Sequence, residues 1–307
     1  MNDNLAFTIR NYFDKHLTSL KFNKQIHFLI RMYLFTGETF YYESLVKLQG
    51  EYIGITKEEQ EKIIKESLTS VIPFSKEYSR RNEFLTKYPE IRIYETILVK
   101  YIFAKKIYQV DLKEVILSLV PAKQLLHFAL KLSKDKEAIF YFSTVSVNFF
   151  YLLHQLLNLK QIKIYANAFY FYRLVKSRDL QNIKYYSNLA IYIATHCIVC
   201  ATNFYTKKII EDQRIYIKLL QFAEKEIIDN YPAISLDEKL ELLVCSKILN
   251  YKCKLSRQIL AESDNSLNKL GYLVDKKFGE ANFMNDPNFS EHRNALYLMN
   301  YYWPPKV

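Results

Sequence analysis

The chain has 307 residues, half of them hydrophobic, with 26 Tyr and 21 Phe. That composition excludes intrinsic disorder and leaves enough apolar surface for one large or two small cores. The formal charge of +11 is a modest basic excess without a dense run: Lys105-Lys106, Lys207-Lys208 and Lys276-Lys277 are isolated pairs. It reads first as a lysine-rich composition, and second as attraction to nucleic acid, acidic peptide or anionic lipid.

From the N-terminus, Met1-Asn2-Asp3-Asn4 is polar and lacks the apolar region of a secretory signal, which predicts a reducing, cytoplasmic setting. Apolar residues then recur at helical spacing nearly throughout. Thr36-Gly37, Gly54, Pro73, Lys87-Tyr88-Pro89, Val120-Pro121, Ser133-Lys134-Asp135, Ser177-Arg178-Asp179 and Tyr231-Pro232 break the period. Three helix starts carry a capping-box pattern with Glu in the third helical position: Thr56 before Glu59, Asp111 before Glu114, and Ser235 before Glu238. Residues 139–157 and 189–204 are apolar but interrupted by Ser143, Asn148, His154, His196 and Asn203, which is too polar for a membrane span. Residues 264–288 read as loop plus a short helix. A last helix is expected from Ser290, stopped by Trp303-Pro304-Pro305.

Only five glycines occur, and none lies between Gly54 and Gly271. Tight hairpins and phosphate-cradling loops need glycine, so this long stretch disfavours β structure and excludes the P-loop and dinucleotide fingerprints. The expected fold is all-α. Tyr42-Glu43-Ser44-Leu45 resembles Tyr94-Glu95-Thr96-Ile97, with fainter copies at Phe142-Ser143 and Tyr186-Ser187, a spacing of roughly 50 residues. That spacing suits stacked helix pairs, an α-solenoid or α/α-toroid-like arrangement in the HEAT or armadillo manner. The expectation is a single helical-repeat domain over 1–307, open to subdivision into 1–133 and 134–307.

Chemistry-bearing residues concentrate in residues 194–205. On a helix, His196, Cys200 and Asn203 share one face, and Thr195 and Thr202 share a neighbouring stripe. Polar groups so aligned on an apolar helix need partners or a wet cavity. One reading makes this a pocket wall with His196 as acid, base or ligand; the other makes His196 a hydrogen-bonded core residue. Cys197 and Cys200 form a C-x-x-C that could hold a metal with His196, act as a redox pair, or simply fill the core. Aromatic clusters such as Phe149-Phe150-Tyr151 and Phe169-Tyr170-Phe171-Tyr172, with Arg173 and Lys176 nearby, read as core packing before base stacking. No H-E-x-x-H or G-x-S-x-G pattern occurs.

Thr195-His196, five residues, then Thr202-Asn203-Phe204-Tyr205 resembles an uncharacterised bacterial all-helical family that carries Thr-His, five residues, then Thr-Asp-Phe-Gly. Leu236-Asp237-Glu238-Lys239-Leu240-Glu241-Leu242-Leu243-Val244-Cys245 is similar to a second feature of that family, and His292 to its C-terminal His. Asn203 stands in place of the family's Asp and Tyr205 in place of its Gly. The resemblance spans roughly residues 140–300. It brings no known activity, and implies a place beside enzymes that modify ribosomal peptides.

Two functions follow as expectations. The first is a binding or accessory protein that holds a peptide or partner enzyme on a concave, basic, aromatic surface. The second is an enzyme of unfamiliar class with His196, Asn203, Glu241 and His292 in one acid–base or metal site. No cofactor is expected. A protein or peptide partner is favoured over nucleic acid, and no membrane span is expected.

Overall fold

The computed structural model describes residues 2–50, 53–69, 79–209, 212–275 and 286–307. The break expected at Pro73, the Lys276-Lys277 pair and Gly279 lie outside them. The chain is all-helical. Among the described residues there is no strand, and the only β-bridge pairs Leu267 with Leu273.

In chain order the helices are α1 (Asp3–Lys15), α2 (Phe22–Thr36), α3 (Thr39–Gln49), α4 (Lys57–Thr69), α5 (Ser79–Lys87), α6 (Ile91–Ile107), α7 (Lys113–Leu119), α8 (Ala122–Leu132) and α9 (Lys136–Phe142). There follow α10 (Thr144–Leu157), α11 (Lys160–Lys163), α12 (Ala168–Val175), α13 (Tyr186–Ala201), α14 (Gln213–Asp229), α15 (Leu236–Ile248), α16 (Ser256–Asn265) and α17 (Pro287–Tyr301). No single one is long and apolar enough to cross a membrane; α7 and α8, bent by 76° about Val120-Pro121, pass such a test only when taken together.

Local chemistry explains most boundaries. Gly37 ends α2 in the left-handed conformation at φ 69°, returning its N–H to the Tyr33 carbonyl. Thr56 and Glu59 form a reciprocal capping box, at 2.8 Å and 3.3 Å, and Ser235 with Glu238 forms another. The box expected at Asp111 does not form. Asp111 accepts from the Lys113 N–H and the Lys105 amine, while Glu114 turns to Lys57. The last helix starts earlier than expected, because Asp286 caps it and Pro287 takes its first position. Ser290 is consequently inside α17 and buried.

The chain divides into two compact units that exchange segments. The first holds Met1–Leu48, Tyr205–Gln213 and Leu220–Val307; the second holds Gln49–Phe204 and Arg214–Leu219. The division passes through α14, and the boundary expected at 133/134 falls inside the second unit. Of the four copies of the expected repeat, Tyr42 and Tyr94 are each the fourth residue of their helices, α3 and α6, whereas the fainter copies lie at the junction of α9 and α10 and at the start of α13.

The second unit has an aromatic core in which Tyr94, Phe128 and Phe149 meet edge to face, with centroids 5.1 Å and 5.4 Å apart. Phe149, Phe150 and Phe171 are fully buried, so most of the aromatic clusters are packing. Phe169 is the exception at 58% exposed, with the Arg173 guanidinium over its ring. In the first unit Phe13 stacks on Phe28, and Tyr12 meets Tyr272 at a tilt of 43°.

The first unit is built around α15, every residue of which is buried from Leu236 to Ser246, including Asp237, Glu238, Lys239 and Glu241. Its neighbour α17 is buried from Asn294 to Asn300. Buried asparagines join them to the rest. Asn294 both accepts from and donates to the Leu273 backbone, and Asn300 donates to the Leu240 carbonyl at 3.1 Å.

Candidate functional site

In the second unit, the face expected to carry His196 is closed by Asn148. The Asn148 side-chain oxygen accepts from His196 Nδ1 at 3.2 Å and from the Cys200 thiol at 3.1 Å. Its amide donates to Glu95 Oε1 at 2.9 Å, so one asparagine on α10 joins α6 to α13. Burial pushes the Glu95 carboxyl up, against the Asn148 bond and Arg92. Thr195 and Thr202, expected to line a pocket, are buried, and their hydroxyls bond back to the Ile191 and Val199 carbonyls. They form core rather than cavity wall, because helix carbonyls one turn back satisfy the hydroxyls.

Among the described residues no group of three or more His, Cys, Asp or Glu is placed to hold a metal ion, so His196, Cys197 and Cys200 do not converge as ligands. Both thiols are buried and in no disulfide, and burial raises Cys197 well above its ordinary value. Asn203, Phe204 and Tyr205 follow α13 with φ of 54°, 55° and 74°, three successive residues in the left-handed region. Tyr205 takes a conformation that Gly adopts without steric cost.

His196 and Asn203 belong to the second unit, Glu241 and His292 to the first. The four expected residues are thus divided between two units. The first unit supplies His292 with other partners. His292 Nδ1 donates to Asp237 Oδ1 at 3.2 Å, and Arg293 Nε donates to Asp237 Oδ2 at 2.9 Å. Burial opposes ionisation of Asp237, but Arg293 and His292 outweigh it and hold the carboxyl well below the usual range. Glu241 lies one turn further along α15 and is buried.

Beside this pair, His27 on α2 donates from Nδ1 to Glu291 Oε1 at 2.6 Å, with Lys24 Nζ 3.4 Å from the other carboxylate oxygen. Burial, then Arg31, His292 and Lys24, push His27 well below 6.5. Burial pushes Glu291 above 4.5, against Lys24, Arg31 and His292. The two shifts act on stability with opposite signs. Below 6.5 an unfolded His27 takes up a proton that the folded one refuses, so its contribution rises with pH; above 4.5 the folded Glu291 keeps a proton that the unfolded one has released, so its contribution falls with pH. Urea unfolding between about pH 4.5 and 6.5 should therefore show a stability that rises with pH in Glu291→Gln, falls in His27→Gln, and varies least in the wild type. A wild-type slope as steep as either variant's would contradict this.

The first unit also contains an open cavity of about 560 Å³ that residue patterns alone did not single out. One wall is Tyr205 to Ile209, another the end of α15 at Lys247 and Ile248, and a third Trp303, Pro304, Pro305 and Val307. Phe35, at the end of α2, fixes two of these walls by packing against Tyr205 at 5.8 Å and Trp303 at 5.9 Å. The Lys306 and Val307 amides both donate to the Leu34 carbonyl and hold the last residues in place. Lys207 and Lys208 are exposed on the rim. The Lys247 amine donates to the Asn300 carbonyl, and its desolvation lowers its pKa. Among the described lining residues there are three lysines and no acidic side chain.

Comparison with protein-family models, with curated proteins and with solved structures finds no match.

Proposed function

We propose that the chain is a binding protein whose first unit holds an acidic peptide segment in the lysine–aromatic cavity. The observation that carries this reading is the lining itself: Lys207, Lys208 and Lys247 around Trp303, Tyr205, Pro304 and Pro305, with no acidic side chain among the described lining residues. Peptide carboxylates would pair with the lysines, while apolar or aromatic side chains would lie against Trp303 and Tyr205. The volume suits a few side chains rather than a folded domain. The proposal includes the stacked helix-pair reading of the fold, a cytoplasmic setting and an accessory role beside peptide-modifying enzymes.

Calorimetric titration with a Glu/Asp-rich peptide tests it. Saturable binding is expected, weakening several-fold between about 50 and 500 mM salt as the charges are screened. Reversal of the two exposed rim charges, Lys207→Glu with Lys208→Glu, should weaken it at least about tenfold. Absence of binding, or binding unchanged by this double reversal, would overturn the proposal.

A further inference from the structure

The histidines of the first unit support a second site of a different kind. Lys24, His27 and Arg31 occupy one face of α2, at i, i+3 and i+7. Opposite them α17 brings Glu291 and His292, and α15 brings Asp237. The two imidazole rings lie side by side with centroids 5.2 Å apart. Each is anchored at Nδ1 by a carboxylate, and neither Nε2 has a hydrogen-bond partner among the described residues. The supporting Glu291 is fully buried, whereas the His27 and His292 side chains remain 28% and 26% exposed. Two imidazoles, each held at Nδ1 by a carboxylate and each partly exposed, are the parts of a paired proton acceptor and donor.

The surroundings indicate the substrate class. Lys24, Arg31 and Arg293 flank the rings, and Arg31 Nε is buried without an acceptor. Such a rim suits a phosphodiester anion. The His–carboxylate pairs bring no hydroxyl or thiol of their own, so the nucleophile would come from the substrate, as the 2′-hydroxyl of RNA does.

We propose that His27 and His292 form an acid–base site that cleaves RNA by internal transesterification. His27 Nε2 takes the 2′-hydroxyl proton as the 2′-oxygen bonds to phosphorus. The bond from phosphorus to the 5′-oxygen breaks, and His292 Nε2 donates a proton to that leaving oxygen. The products are a 2′,3′-cyclic phosphate and a 5′-hydroxyl; exchange with water returns the proton from His27 to His292. Lys24 and Arg31 neutralise the charge that builds on the phosphoryl oxygens. Glu291 and Asp237 are positioning residues that hold each ring by Nδ1.

The full chain is incubated, in buffer containing EDTA, with a short mixed-sequence RNA labelled with a fluorophore and a quencher. Matching DNA and 2′-O-methyl RNA serve as comparisons. RNA should be cut to products that mass spectrometry shows end in 2′,3′-cyclic phosphate, while the other two stay intact. His27→Gln and His292→Gln should each slow cleavage by about 100-fold or more. No cleavage by the wild type, equal cleavage of DNA or 2′-O-methyl RNA, or an unchanged rate in both folded variants would overturn the proposal. The wild-type comparisons decide the matter alone if a variant does not fold.

Discussion

Glu262→Ala should destabilise the protein by about 3–5 kcal/mol, whereas Lys239→Met should change stability by less than about 1.5 kcal/mol. The Lys239 side chain is completely buried on α15; its amine lies 3.0 and 3.1 Å from the two Glu262 oxygens and 3.9 Å from the centre of the Tyr231 ring. Removing Glu262 takes away the carboxylate whose two oxygens lie within hydrogen-bond distance of this buried ammonium, and its desolvation is then less compensated. The reverse change is milder. Methionine fills much of the lysine's volume, and Glu262, 19% exposed, keeps the Tyr231 hydroxyl at 2.7 Å and gains water. Urea unfolding of the two single variants checks the asymmetry; equal losses would show that Lys239 is not held as a buried charge.

The second large effect is expected at Arg293. Arg293→Ala removes the cation nearest Asp237 and should cost about 3 kcal/mol near neutral pH. Asp237 titrates below its ordinary value of 3.8 in the folded chain. Its contribution is therefore complete above that value and is lost as the pH falls through the folded pKa. Without Arg293 the desolvated carboxyl should take up its proton at higher pH. The gap between variant and wild type should thus be full at pH 7 and narrow below about pH 4. A gap that stays constant down to pH 3 would mean that Arg293 acts through packing alone.

The fold class is legible in the sequence because its signals are local. The glycine-free middle, the Thr56 and Ser235 boxes and the Gly37 stop each operate within a few residues. Burial of α15 is not local. Asp237, Glu238, Lys239 and Glu241 look like a solvated face, yet Glu262 and Arg293, which compensate two of them, come from α16 and α17. The same reason hid His27, whose carboxylate partner is 264 positions away. His196 was visible as a polar group on an apolar helix, but Asn148, which satisfies it, lies on α10. The cavity was hidden differently: Lys207-Lys208 read as an isolated pair and Trp303-Pro304-Pro305 as a helix stop, and the two segments meet at Phe35, far from both in the sequence. The start of α17 could have been found, since Asp286-Pro287 is an ordinary helix-opening pair, stronger than the Ser290 preferred from the pattern.

Trp303 is the only tryptophan in the chain and lines the lysine-rich cavity. Its emission therefore reports on that cavity without competing signals. Titration with an acidic peptide should change the emission saturably and reversibly with salt, and a lysine-rich peptide of equal length should leave it unchanged. An emission that stays flat through the acidic titration, or responds equally to both peptides, would contradict the account.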